Sequence, residues 1–343
     1  MPIVRSFGNN FEVQDWTGEV NTVPNQWGLI GQLGIFREEG VAEHVVVFEE
    51  IIKDGALLVD RVRGDRSNVG KDAQRKLHTF AVPHFPMEDA IFPQDIQGKR
   101  AYGKANEVET LDLVRARKLA RIRQNHAWTL EVARAQAITA GTVYAPNGTV
   151  SQDWYQEMTG AARPAAVDFL LGTSTTEIAS QVETVLAKIQ DNSGEINYSG
   201  VIALCGTTFF QKLVTHATIK QAYQFYTSTQ EPLRRRLSSD GSAVGMRRTF
   251  EYMGVTFIEM RDNLGGTTLI GASDAYFLPT GTEYFKTYFS PANRFGLVNT
   301  IGEQVYVFES MAPNGTAYNY ESESNFINAL LKPLTVVKAT TSN

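Results

Sequence analysis

The sequence predicts an α+β fold, and three observations carry the prediction. Residues 107–140 lack Pro and Gly and are dominated by Ala, Leu, Arg, Glu and Gln, a helix-forming composition. Short β-rich runs such as EHVVVFEEII (43–52) and RTFEYMGVTFIEMRD (248–262) stand apart from it. Helices and strands mix without βαβ alternation, which disfavours a parallel α/β sheet. With 343 residues the chain is long enough for about two domains of roughly 100–200 residues each.

Residues 1 to about 40 scatter single aromatics (Phe7, Phe11, Trp16, Trp27) among Asn, Gln and Gly. A segment of this kind builds no core of its own, so it is expected to lie along the body or on a neighbour. GLIGQLG (28–34) lacks both the GxGxxG spacing and a preceding strand, and reads as a turn or helix start. Glu43–Ile52 and Ala56–Val62, joined by KDG, predict a hairpin. A two-stranded ribbon is marginal alone in water, and this one carries apolar residues on both faces (Val46, Phe48, Ile52 against Val45, Val47, Ile51). The expectation is that it crosses another subunit.

FAVPHFPMEDAIFPQDIQGKRAYG (80–103) supports two readings. His84, Glu88, Asp89 and Asp95, with His78 nearby, could form a metal or acid/base set; alternatively the prolines and glycines mark a stiff, extended connector. The helix that follows places Leu111, Leu119, Ile122, His126, Leu130, Ala133 and Ala137 close to one face, with Arg115, Arg117, Arg121 and Arg123 around the rest. At 1.5 Å per residue it would run to roughly 50 Å. APNGT occurs twice, at 145–149 and 312–316, and each Asn-Gly predicts a tight β-turn with positive φ angles. Thr175–Ile189 reads as an amphipathic helix started by Thr175 or Thr176 and stopped by Ser193-Gly194. Val201–Leu204 reads as a buried strand, Thr207–Phe225 as a helix, and the runs 248–262, 268–279 and 283–291 as strands.

Composition narrows the function. The single cysteine, Cys205, allows no intrachain disulfide and suits a reducing compartment. No secretory h-region and no membrane-length apolar run appear, so cytoplasmic synthesis is expected. A net charge of −5 offers no general attraction to nucleic acid. GxSxG, GxxxxGK[ST], HExxH and CxxC are all missing, Cys205 sits in an apolar strand, and no catalytic residue, cofactor or metal is expected. The densest basic cluster, Arg234-Arg235-Arg236 with Arg247-Arg248, brackets SSDGSAVG without interleaved aromatics. Subunit-to-subunit charge pairing suits it better than DNA contact.

Arm, ribbon, connector, long helix and compact α+β portion together describe a scaffold whose surface is completed between copies. Three motifs then carry a resemblance: PMEDAIFPQDIQGKRAYG (86–103), FEYMGVTFIEMRD (250–262) and YFSPANRFGLVNTIGEQVYV (288–307). In this order the sequence resembles the tailed-phage major capsid proteins of the lambda-type (E) family, which share the HK97 fold. The resemblance implies an N-terminal arm (1–40), an E-loop (41–85), a peripheral domain (86–200 and 290–343) with a spine helix at about 107–140, and an axial domain (201–289). It further implies pentamers and hexamers closing into an icosahedral shell around double-stranded DNA held by weak, non-specific contact. Expansion from a procapsid, assembly in the bacterial cytoplasm, and portal, scaffolding and cementing or decoration proteins as partners follow from it. An encapsulin-like compartment around protein cargo is the alternative. The connector reading now prevails: Pro83, Pro86 and Pro93 fix the backbone, and Gly98 and Gly103 permit the bend into the spine. Pro86, Asp89, Pro93, Asp95, Gly98, Arg100 and Gly103 become assembly or hinge candidates beside Arg234, Arg235 and Arg236, with the acids expected to pair with Lys99, Arg100 or a neighbour's cations.

Overall fold

One helix, Leu111–Ala140, organises the fold. In the computed structural model, which describes residues 14–22, 28–52, 74–99, 109–194, 198–224, 248–261, 263–264 and 267–343, it spans about 45 Å at 1.5 Å per residue. Its start is capped by Thr110, whose hydroxyl accepts from the Leu113 N–H, and its end by Gly141 at φ 73°, whose N–H returns to the Gln136 and Ala137 carbonyls. Leu119, Ile122, His126, Leu130, Ala133 and Ala137 are buried as the periodicity requires. Arg123 is buried too, against the expectation that the arginines ring the solvent side, because it reaches across to Asn21 and Gln304.

This helix packs on a six-stranded sheet built around Tyr318–Leu330. Tyr306–Met311 and His84–Ile91 flank the first half of that strand on opposite edges, and Phe285–Ser290 pairs with its second half. Gln14–Asp15 and Arg37–Gly40 complete the sheet from the N-terminal segment, which lies along the body as expected. From Ser322 to its end the central strand is buried on both faces, yet it carries Ser322, Ser324, Asn325 and Asn328. Each has a hydrogen bond, to the Met87, Gln304 and Pro291 carbonyls and from the Thr287 hydroxyl respectively, which is the condition for burying polar groups.

A second six-stranded sheet runs Val167–Asp168, Val337–Thr340, Asp274–Thr280, Gly200–Cys205, Val255–Glu259, Thr249–Tyr252. Ile178, Val182, Val185 and Ile189 of the helix Ile178–Ser193 bury one stripe among Phe169, Phe209, Phe257 and Phe277. The two sheets exchange chain. Phe285–Ser290, which up to residue 289 the resemblance assigns to the axial segment, lies in the sheet beside the long helix, and Val337–Thr340 lies in the second sheet.

Local chemistry revises other expectations. Val45–Ile52 pairs along its whole length with Gln74–Ala81; Ala56–Val62, the partner expected, lies outside the described residues. The helix expected from Thr207 breaks at His216 (φ −63°, ψ 143°) into Thr207–Thr215 and Ala217–Gln224, while Phe225 lies outside the described residues. His216 is held there by the Thr173 carbonyl at 2.9 Å, and its Nδ1 accepts from the Thr218 N–H at the start of the next helix. Thr175 and Thr176 do not cap the helix that starts at Ile178; Glu177 occupies the cap position and Gly194 ends it. In both APNGT turns the positive φ belongs to Gly148 and Gly315, and Asn147 and Asn314 stay at negative φ. The Gly N–H donates back to Ala145 or Ala312, so Pro at the second position sets the turn, and glycine serves as the left-handed exit. The two-residue turn with both φ positive occurs instead at Met253-Gly254, between Thr249–Tyr252 and Val255–Glu259.

Candidate functional site

The connector is extended where it was expected to be. Pro86 stands within His84–Ile91, a strand paired on one edge only, where a missing N–H leaves no partner unsatisfied. Pro93 opens a single 3-10 turn, Pro93–Asp95, in which the Asp95 carboxylate accepts from the Phe92 N–H and lies 3.7 Å from Lys99. Gly98 follows at φ 71°, a left-handed conformation that disfavours a side chain. Arg100, Gly103, Arg234, Arg235 and Arg236 lie outside the described residues.

Asp89 ties this connector to the long helix. Lys118 donates to it at 2.7 Å and Arg121 donates to its other oxygen. Burial alone would raise its pKa, but these two cations and the Ala90 N–H hold the carboxyl below its usual range. Two further clasps extend the seam. Arg115 forks onto both oxygens of Glu309 at 2.9 Å while the Tyr320 hydroxyl donates to Glu309 at 2.7 Å. His126 meets the Ser322 hydroxyl at 3.0 Å; because that hydroxyl donates to the Met87 carbonyl, the imidazole is the donor and its Nε2 carries the proton.

A third group of contacts was not foreseen in the sequence. The buried Glu131 carboxylate accepts from the Ile30 and Gly31 N–H groups at 2.7 and 3.1 Å, so a carboxylate occupies the helix start in GLIGQLG where a phosphate would sit in a nucleotide loop. Arg134, also buried, donates to Glu38 at 2.7 Å and to Thr287. Arg123, Glu131 and Arg134 fall on one helical stripe and together grip the N-terminal segment at Asn21, Ile30, Gly31 and Glu38. Their signal is present in the sequence only as charges at helical spacing, which solvent-exposed helices also show.

The metal reading finds no geometry. His78 is buried on the ribbon, His84 contacts Asn325 and Glu323, and Asp89 points to the opposite face of its strand from Glu88. Among the described residues no three metal-ligating side chains converge. Cys205 is fully buried, and burial pushes its thiol pKa up, away from reactivity.

The surface carries two apolar features. The ribbon buries one face on its own subunit, where Phe48 and Phe80 pack with Trp154, Phe80 stacking on it at 4.2 Å. Its other face leaves Val47 51% and Leu77 67% exposed beside Val45. The loop after Ser290 exposes Phe295 completely, with Val298 and Ile301 close behind. Together these are unusual for a monomer.

Residues 12–341 match the family described as phage major capsid protein E. The chain is similar to the major capsid protein of Pseudomonas phage KPP10, 45% identical over 348 residues and 98% of each chain. Among solved structures it is similar in fold to the capsid of Myoviridae phage XM1 (TM-score 0.52, 10% identity, 94% of this chain and 97% of that one). It is also similar to the mature capsid of bacteriophage PhiM1 (TM-score 0.51, 12% identity, 90% and 85%).

Proposed function

The chain belongs to the phage major capsid protein E family, and from that premise we propose how its surfaces build a shell. It is a major capsid protein with an HK97-like fold and forms the multi-subunit capsid of a virion; a cargo-enclosing encapsulin is not favoured. The observation that carries the proposal is the exposed apolar face of the ribbon at Val45, Val47 and Leu77. Apolar area buried between copies contributes about 25 cal/mol per Å², so this face supplies a lateral contact within pentamers and hexamers. The Pro86-to-Gly98 connector, pinned by Asp89, fixes the angle at which the ribbon leaves the helix. Arg234, Arg235 and Arg236 provide charge pairing between copies. The sheet beside the long helix serves as the peripheral unit and the second sheet as the axial one, which refines the division at 200 and 290.

The same reading assigns the protein no catalytic role. It places assembly in the host cytoplasm, with portal, scaffolding and cementing or decoration proteins as partners and double-stranded DNA enclosed without tight binding, consistent with the net charge of −5. Expansion from a procapsid would be a rearrangement between bistable interfaces. Negative-stain electron microscopy of the chain, expressed alone and with its neighbouring genes, tests the reading. Rings, tubes or closed polyhedra are expected; a small monodisperse particle under every condition would overturn it.

A further inference from the structure

The loop 291–305 uses some of its side chains inward and others outward. Inward, Ala292 and Leu297 pack on Tyr306 and Phe308 of the first sheet, and the Arg294 guanidinium lies 3.9 Å above the Phe308 ring and pairs with Glu321. Backbone bonds close the turns between these anchors: the Leu297 N–H donates to the Arg294 carbonyl at 2.9 Å, and the Gly302 N–H donates to the Val41 carbonyl at 3.0 Å. With Arg294 and Leu297 engaged beneath, the 3-10 turn Phe295–Leu297 leaves the Phe295 side chain completely exposed. An aromatic ring held out on a fixed support loses little freedom on binding, which is the character of an interface anchor. Phe295 separates two hollows. On one side are Phe308 and the Arg294 guanidinium. On the other is a hollow of about 490 Å³ with Val45, Pro291, Ala292 and Val298 as its apolar lining and Glu43 and His44 among its polar groups. Glu43 is exposed and makes no ion pair among the described residues. The order across this surface is therefore cation, ring, hollow, carboxylate.

We propose that this patch is a reciprocal two-fold contact between two copies of the chain, in which Phe295 of each copy fills the hollow of the other. Rotation by half a turn about an axis between ring and hollow reverses the order across the surface. Ring then meets hollow twice, and Arg294 of one copy faces Glu43 of the other twice. A partner of different sequence would have to match ring, hollow and both charges independently; a second copy supplies all four by symmetry. Val45 also belongs to the open face of the ribbon, so the contact continues the apolar surface assigned above to contacts between copies. The inference rests on the reading that copies associate, and it adds a contact centred on the loop instead of the ribbon.

The test places Val298→Cys, an exposed position in the wall of the hollow beside the axis, in the full-length chain and adds a short bis-maleimide under assembly conditions. The native thiol is buried and supplies no background. A covalent dimer through the two introduced thiols is expected on a denaturing gel, because the two-fold axis sets them side by side. No dimer, when the same thiol labels with a monofunctional maleimide, would overturn the contact. In this background Phe295→Ser removes the ring and should lower the dimer yield about tenfold or more. Glu43→Lys sets like charges across the axis and should lower it about threefold, the effect of one exposed ion pair. Both positions are exposed, so the thermal midpoint of the subunit should stay in place; an unchanged yield in either variant overturns the proposal. Particles are imaged in parallel. Shells without the crosslink overturn this contact and leave the assembly reading standing, whereas the crosslink without shells upholds the contact and counts against that reading.

Discussion

His126 shows how one residue records its surroundings. It sits on the buried face of the long helix, and burial first, then the Arg123 charge, lowers its pKa from 6.5 to about 4. The unfolded chain therefore binds more protons than the folded one between those values, and stability rises with pH across that window. The contribution is fully present above pH 6.5 and is lost as pH falls toward 4, by about 3 kcal/mol. Urea titrations from pH 4 to 7 should show this slope. His126→Gln, which keeps a donor toward Ser322, should flatten it; an unchanged slope would assign the pH dependence elsewhere. The periodicity of the helix placed His126 on the inner face, but its hydroxyl partner lies 196 positions away and no local pattern announces it.

At the level of elements, the helix and its sheet meet through charge as much as through apolar contact. Arg115 shields Glu309, which is 3% exposed, and also lies over the Trp16 ring at 5.1 Å. Arg115→Ala leaves Glu309 with Tyr320 but no cation, and should cost about 3–5 kcal/mol in chemical denaturation. Arg115→Met with Glu309→Gln should recover part of that loss, because the buried charge is gone as well. An equal loss in the double variant would mean that packing, and not the unpaired carboxylate, dominates. The helix and its glycine stop were legible in composition. The central strand YNYESESNFINAL was not, because buried Ser and Asn interrupt the apolar alternation by which strands are recognised.

For the whole molecule, the decisive feature is the apolar surface left uncovered by a single chain. Val47→Asp or Leu77→Asp on the ribbon should change the subunit's thermal stability little, within about 0.5 kcal/mol for an exposed position. Either should block shell formation seen by electron microscopy. Normal shells from both variants would remove the ribbon's outer face from the assembly contacts. The sequence anticipated a ribbon with two apolar faces and joined it across KDG to Ala56–Val62, a run outside the described residues. Among the described residues it pairs with Gln74–Ala81, whose inward residues His78 and Phe80 face Phe48 and Val46 across the register. That pairing joins residues more than twenty positions apart, beyond the reach of a turn signal.

By itself the sequence determined the α+β class, the long helix, the extended connector, and, through three ordered motifs, the capsid family. These rest on local propensity and spacing, which are written along the chain. Tertiary structure alone decided that Arg123, Glu131 and Arg134 grip the N-terminal segment, that Asp89 pins the connector, and that the two sheets exchange strands. Each of these joins residues far apart in sequence, and a charge has the same spacing on a helix whether it faces water or a buried partner.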